Sequence, residues 1–343
     1  MLALNRWLLV LSCVLFSVWC CGLLGKKRHV INSFYYWKHN NNYYDDDEYD
    51  KNYDTTQLHA RRIYIKLFDI DWRMGNGAFP REIFEYPKES SSVEIVPVFF
   101  FLNRVFEKSD SADLENLATR LAKIVNNTYP EIQMDCDWTT TTRDRYFQFL
   151  KILRPLVPIK TKISATIRLH QVKYRDKTGI PPVDRGMLML YNLGNPTDFN
   201  DKNSIFELTE ARKYLDGQKD YPLPLDIALP IFRWGVTYRG GKFLDMLTGL
   251  NSKQADTLRF LTKKDRFYTV NGDTLFEKKY LRFGDIIKIE EISDDVLRGA
   301  AELAAPFVRK TDTLHIAYFH YDRALISSLK PETYEQVFQI FNR

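Results

Sequence analysis

The chain has 343 residues, with 49 Lys and Arg against 44 Asp and Glu, a net charge of +5. That length admits one large domain or two ordinary ones, and 45% hydrophobic with 27% charged residues excludes a disordered chain. The positive excess is small and spread out, which gives little support to nucleic-acid binding. The aromatic content, 6 Trp, 20 Tyr and 23 Phe, leans toward large cores and toward ligand sites that present flat apolar faces.

Residues 1–25 stand apart from the rest. Arg6 precedes an apolar run from Trp7 to Trp19, followed by Cys20, Cys21, Gly22, Leu23 and Leu24. A short basic start and an apolar centre predict a secretory signal. The alternative is a retained membrane anchor, since Trp7 to Leu24 is 18 residues, the short edge of a spanning helix. Cys20 and Cys21 resemble the attachment site of bacterial lipoproteins, although Trp19 stands where a small residue is usual. Lys26, Lys27 and Arg28 directly follow, and such clusters tend to remain cytoplasmic. Export with membrane or lipid attachment is the favoured expectation. With the leader removed only Cys136 remains, which excludes a disulfide framework or a thiol-rich zinc site.

From residue 26 to 343 the chain reads as one domain. Eight short β-branched and aromatic runs recur, at Val30–Lys38, Arg62–Asp71, Glu94–Asn103, Glu131–Trp138, Lys162–His170, Gly186–Asn192, Leu225–Phe232 and Leu314–Tyr321. Several are almost continuously apolar, as parallel strands covered on both faces must be. Between them, Ala112–Asn126 has Leu114, Leu117, Ala118, Leu121 and Ile124 at helical spacing, with Asp110 or Ser111 as cap. Thr141–Leu153 does the same with Tyr146, Phe149, Leu150 and Leu153, and Ser204–Leu215 and Glu332–Phe341 are further predicted helices. Strand and helix alternating eight times predicts an α/β fold, a (β/α)8 TIM-like barrel. The links Arg73–Val93 and Gln171–Arg185 are irregular and show no good helix.

Residues 233–313 are too long for one connection and predict an insertion between strands seven and eight. Within it, Lys242–Leu250 and Lys253–Leu261 read as helices. Arg266–Val270 and Thr274–Ile289 read as a hairpin turning at Asn271-Gly272, and Asp295–Val308 as a helix. A hairpin of this size is too small to own a core, so a separate domain is not expected. The acidic stretch Asn40–Asp50 reads as a solvated loop rather than a calcium site, because it lacks alternating ligand spacing. Asn126-Asn127-Thr128 fits a glycosylation acceptor, relevant only in a eukaryotic secretory host.

Barrel sites lie at the carboxyl ends of the strands. Those ends carry Tyr35, Trp37 and Lys38; Asp69 and Asp71; Asn103 and Arg104; Asp135 and Asp137; Arg168 and His170; Tyr191 and Asn192; Arg233 and Trp234; and Tyr318, His320 and Asp322. Strands that start apolar and finish ionisable point to that end as the site. Period-two alternation turns Gln133, Asp135 and Asp137, and likewise Ser164, Thr166, Arg168 and His170, into the barrel. A buried ion pair of Asp135 with Arg168, which Lys66 can join, is the plain expectation. Asp137 and His170 lie one step nearer the mouth.

Asp135-Cys136-Asp137-Trp138 resembles the Asp-x-Asp-x-Glu strand of chitinase-type glycoside hydrolases, whose Glu is the general acid. Thr139 occupies that position here. Met189-Leu190-Tyr191-Asn192 resembles their Met-x-Tyr-Asp, with Asn192 for Asp. More broadly, Phe34-Tyr35-Tyr36-Trp37-Lys38, Lys66-Leu67-Phe68-Asp69-Ile70-Asp71 and the strand-four run resemble a group of exported bacterial proteins of unknown function with hydrolase-like barrels. The resemblance implies a glycan as partner. One reading is a hydrolase with Asp137 as acid, Asp135 beside it, and Asp69 or Asp71 as the second carboxyl. Trp37, Tyr191 and Trp234 would stack on sugars, with Arg168, His170, Asn192, His320 and Asp322 lining the substrate. The other reading is a non-catalytic carbohydrate-binding or surface-assembly lipoprotein on a degenerate barrel, favoured by Thr139. A weaker third is a metal-dependent hydrolase using His320 and Asp322 with Asp69 or Asp137. No cofactor is called for, as there is no Gly-rich phosphate loop, His-Glu-x-x-His or nucleophile elbow.

Overall fold

The computed structural model describes residues 28–37, 58, 60–83, 93–125, 129–218, 221–308 and 312–342. The leader with its cysteines, Lys38, the acidic stretch Asn40–Asp50 and the Asn126-Asn127-Thr128 acceptor lie outside them. Among the described residues no helix is long and apolar enough to cross a membrane.

Eight parallel strands close into a barrel: β1 (His29–Tyr36), β2 (Arg62–Arg73), β4 (Glu94–Phe101), β5 (Glu131–Cys136), β6 (Lys162–Arg168), β7 (Arg185–Met189), β8 (Leu225–Pro230) and β16 (Thr313–Phe319). β1 seals the circle, pairing Val30 with Leu314 of β16 on one side and Phe34 with Ile63 of β2 on the other. This is the α/β TIM-like barrel that the eight runs predict. No helix follows β2 among the described residues. Instead the chain turns through Gly75 and Gly77, both at positive φ where glycine is free of steric cost, and β3 (Gly77–Ile83) returns antiparallel along β2.

The outer layer holds the strands by burying one stripe of each helix. Ser111–Val125 buries Leu114, Leu117, Ala118, Leu121 and Val125, and each large side chain so covered contributes ~1.5–3 kcal/mol over exposure. Asp110 caps it, accepting from the Asp113 amide at 2.9 Å. Ile124, expected on that stripe, lies exposed on its flank while Val125 turns inward. Arg143–Leu153 buries Tyr146, Phe149, Leu150 and Leu153 as its spacing predicts. Trp138 is buried beneath it with the indole N–H donating to the Thr178 carbonyl at 2.8 Å.

The insertion departs from its sequence reading. Residues 234–290 form a five-stranded antiparallel sheet of β9 (Trp234–Arg239), β10 (Lys242–Thr248), β11 (Leu261–Lys264), β12 (Phe267–Val270) and β15 (Ile286–Glu290), in the order β10-β9-β15-β12-β11. Lys242–Leu250 is therefore a strand and not a helix, and only Ser252–Ala255 of the second expected helix forms. The hairpin is β13 (Thr274–Phe276) with β14 (Lys279–Leu281). Its turn is Glu277-Lys278, both at positive φ, rather than Asn271-Gly272. Leu247, Leu250, Ala255, Tyr268, Val270, Leu281 and Ile287 make a small apolar cluster of the insertion's own. The helix Asp294–Ala304 belongs to the barrel, since Leu297, Ala300, Ala301 and Ala304 join the main core.

The strand starts are not apolar throughout, contrary to the expected gradient. Inside the amino-terminal end of the barrel Arg62 bridges Glu94 and Glu131, the latter at 2.7 Å, and Arg185 pairs with Asp226 at 2.7 Å. Burial pushes Asp226 up to about 7 despite Arg185. His315 in the same layer is held down to about 2, by burial first and by Arg62 and Arg185 next. Both ends of the barrel are therefore polar, and the mouth is distinguished by its exposure and its aromatic lining.

Candidate functional site

The register between β5 and β6 pairs Gln133 with Ser164 and Met134 with Ala165. Continued two residues beyond Gln133 and Ser164 it sets Asp135 beside Thr166, and continued four it sets Asp137 beside Arg168. The contacts follow: Thr166 Oγ1 donates to Asp135 at 2.6 Å, and Arg168 Nε and Nη2 reach the two Asp137 oxygens at 2.5 and 3.3 Å. The expected Asp135–Arg168 pair is thus replaced by Asp137–Arg168. Asp135 is only 3% exposed. Burial pushes its carboxyl up to about 6; the Arg168 charge works against this and Asp137 reinforces it.

The other carboxylates are engaged as well. Asp69 meets Lys66 Nζ at 2.9 Å, and Lys66 lies 5.1 Å from the ring centre of Trp37. Asp71 is held by both arms of Arg104 at the start of the helix Asn103–Lys108. Arg104 and the Trp72 amide keep Asp71 below the usual carboxylate range against the cost of burial. Asp322 caps the short helix Arg323–Ile326 by accepting from the Leu325 amide at 3.1 Å. Thr139, where the resemblance places a general acid, shares its hydroxyl with Thr141 at 2.8 Å and Thr142 at 3.3 Å. Among the described residues no three His, Cys, Asp or Glu are grouped to hold a metal ion.

Between the Lys66–Asp69 and Asp137–Arg168 pairs runs an arc of rings. Trp37 contacts Phe319 at 5.7 Å, Phe319 contacts Tyr191 at 5.0 Å, Tyr191 contacts Phe232 at 5.8 Å, and Phe232 contacts Trp234 at 5.0 Å. Trp37, Phe319 and Trp234 are half-buried, so each offers a face. Tyr35 supports the arc from below, 5.7 Å from Phe319, with its hydroxyl donating to Gln133 at 2.5 Å. Arg168 sits 5.9 Å from the Tyr191 ring centre. A cleft of about 230 Å³ opens beside this end, lined by Asp137, Arg168, His170, Tyr191, Asn192 and Tyr214.

The structure therefore gathers Trp37, Asp69, Asp137, Arg168, His170, Tyr191, Asn192 and Trp234 at the mouth, with Asp135 beneath. Asp71 and Asp322 are committed to Arg104 and to a helix cap. Tyr318, expected at the mouth, turns outward against Phe34 and Tyr334. Phe319 and Phe232 were missed. Phe319 follows His315 and Ala317 at period two, the inward set of β16, and that spacing would have found it.

No protein-family model matches the chain, and no curated protein matches it in sequence. Solved structures do match in fold. The spore cortex-lytic enzyme SleL of Bacillus cereus superposes with a TM-score of 0.53 at 12% identity, over 92% of this chain and 75% of that one. The Bacillus megaterium SleL gives 0.54 at 11%, over 91% and 74%. Catalytic domain 2 of the Ostrinia furnacalis Group II chitinase gives 0.52 at 10%, over 91% and 96%. The fold is the TIM-like barrel that these structures share. At these identities the likeness concerns the fold, and the chemistry has to come from this chain's own mouth.

Proposed function

We propose that the barrel mouth binds a carbohydrate without hydrolysing it. The observation that carries this is the pairing of the mouth carboxylates. Glycoside hydrolysis needs a carboxyl able to donate a proton to the leaving oxygen. Asp69 and Asp137 face Lys66 and Arg168, Asp71 faces Arg104, and the position of the acid is Thr139. Asp135 has a raised pKa but lies beneath the Asp137–Arg168 pair, away from any bound sugar. What remains exposed suits binding: half-buried ring faces for the apolar face of a sugar, and Asn192, His170 and the ion-pair edges for its hydroxyls. The test is an immobilised-glycan array probed with the full-length protein and with Trp37→Ala. Glycans bound by the first and lost by the second support the reading. An array with no bound glycan refutes it.

The same proposal has the barrel exported and held at a membrane through residues 1–25. Support comes from Arg6, the apolar run that follows it, and Cys20-Cys21 at its end.

A further inference from the structure

The barrel strands are parallel, so their starts share one end, opposite the mouth. At that end the link into β6 forms an ordered turn that stands out from the surface. The Thr161 amide donates to the Pro158 carbonyl at 2.9 Å, which puts Ile159 and Lys160 at the two corners of a β-turn. Arg154 holds the turn from behind. Its Nη2 donates to the Pro158 and Thr161 carbonyls at 3.0 Å each, and its Nη1 to Asp184 at 3.2 Å. The Thr161 hydroxyl donates to the Tyr129 carbonyl at 2.9 Å. Ile159 is thus fixed in place and yet 96% exposed. Leu156 beside it is 45% exposed, and Ile124 44%, near the end of Ser111–Val125, a helix that packs against Arg154–Leu156. None of these three belongs to either apolar core.

The surroundings are basic. Residues 151–162 hold Lys151, Arg154, Lys160 and Lys162 and no Asp or Glu, and Lys123 joins them from the last turn of Ser111–Val125. Over residues 122–125, 151–162 and 180–184 the charge is these five less Asp184, 5 − 1 = +4. Asp184 is committed to Arg154 and to the Ile163 amide, at 2.7 Å. Glu131, beside Lys162 in the sheet register, is buried and paired with Arg62. Lys123, Lys151, Lys160 and Lys162 are all exposed and make no ion pair among the described residues. The chain enters β1 at this same end. β1 and β6 are four strands apart in the ring of eight, hence on opposite sides of the rim, and Lys26, Lys27 and Arg28 stand directly before His29. A plane laid across the end of the barrel meets the Ile159 turn on one side and these basic residues on the other.

We propose that the amino-terminal end of the barrel rests on an anionic lipid bilayer through the Pro158–Thr161 turn, with the mouth opening away from it. Isoleucine and leucine held out from a surface gain by entering the boundary between head groups and acyl chains, and lysines around them reach anionic head groups. The turn is already ordered by Arg154, so its entry costs little conformational freedom. A soluble polyanion would be drawn by the same lysines, but it would leave Ile159 in water. The inference rests in part on the attachment proposed for residues 1–25, which would bring this end, and not the mouth, to the membrane. It does not depend on the carbohydrate reading.

The test reads the turn and the attachment separately on the full-length protein. Hydrogen exchange of the peptide spanning residues 154–162 is followed by mass spectrometry, and sedimentation with the same vesicles reads attachment. Both are measured with vesicles of equal phosphatidylglycerol and phosphatidylcholine and with pure phosphatidylcholine vesicles, and exchange also with soluble polygalacturonate. Exchange in this peptide is expected to slow several-fold with the anionic vesicles only, and the slowing to weaken in high salt. It is expected to be lost in Leu156→Ser/Ile159→Ser and reduced in Lys160→Gln/Lys162→Gln, with thermal unfolding of both variants unchanged. Protein that sediments with either vesicle while this peptide exchanges freely overturns the proposal and leaves the attachment through residues 1–25 standing. Protein that sediments only with anionic vesicles, with the peptide protected, upholds the proposal and removes that attachment. Protein that sediments with neither overturns both. Equal protection by phosphatidylcholine, protection by polygalacturonate, or protection that survives in Leu156→Ser/Ile159→Ser also overturns the proposal.

Discussion

Asp135→Asn is expected to stabilise the protein at neutral pH. Asparagine keeps the shape and can still accept from the Thr166 hydroxyl, which donates to Asp135 at 2.6 Å. What it removes is a buried negative charge whose natural partner, Arg168, is engaged by Asp137. Burial pushes the Asp135 carboxyl from 3.8 to about 6. Because the folded value lies above the unfolded one, the folded state holds this proton more tightly. The stability it brings is complete below about pH 4 and is lost as the pH rises through about 6. A tenfold change in proton affinity is about 1.4 kcal/mol, so the ionised form costs the wild type up to about 3 kcal/mol near neutrality. Urea unfolding of both proteins at about pH 4 and about pH 7.5 measures it, and the difference between the two pH values cancels pH-independent effects of the substitution. The variant should gain up to about 3 kcal/mol on the wild type between them. No gain, or a loss at neutral pH, would show that the Asp135 charge is well compensated and would refute the assignment of Arg168 to Asp137.

Glu290 meets the fully buried Lys288 at 2.9 Å and accepts from the Trp234 indole at 2.8 Å. Glu290→Leu should therefore cost roughly 3–5 kcal/mol in denaturant unfolding, while Lys288→Met/Glu290→Leu recovers much of it; equal costs would mean that the stranded charge is not the cause. Trp37→Ala and Phe319→Ala should each weaken binding of an array-positive glycan up to about tenfold by titration calorimetry, the worth of one aromatic contact; unchanged affinity would put the site elsewhere. In cell fractionation the Cys20→Ala/Cys21→Ala protein should leave the membrane fraction for the soluble one, and equal release of both proteins would show that these cysteines anchor nothing.

The barrel was legible because its strands are buried on both faces, so runs such as Ile63–Leu67 and Ile163–Ile167 announce themselves without their partners. The insertion was not. Phe243, Met246, Leu247 and Leu250 fall at helical spacing, but Gly240-Gly241 at positive φ turns β10 back along β9, and the pairing decides. At the mouth, alternation correctly turned Asp135, Asp137 and Arg168 inward. Which carboxylate Arg168 meets depends on the β5–β6 register, a relation between strands that no single strand encodes. The polar layer of Arg62, Glu131, Arg185, Asp226 and His315 was hidden for a similar reason. Each residue lies within the first three positions of its own strand, and only barrel closure brings them together.

The central claim is that the mouth holds a sugar whose glycosidic bonds stay whole. Native mass spectrometry of the full-length protein, incubated at acidic and neutral pH with the oligosaccharides that the array selects, reads occupancy and chain length in one spectrum. The account predicts a complex of protein with the intact oligosaccharide and no shorter sugars, with the complex diminished in Trp37→Ala. Shortened sugars that accumulate with time and vanish in Asp137→Asn would contradict it, and would make Asp137 a working acid despite Arg168.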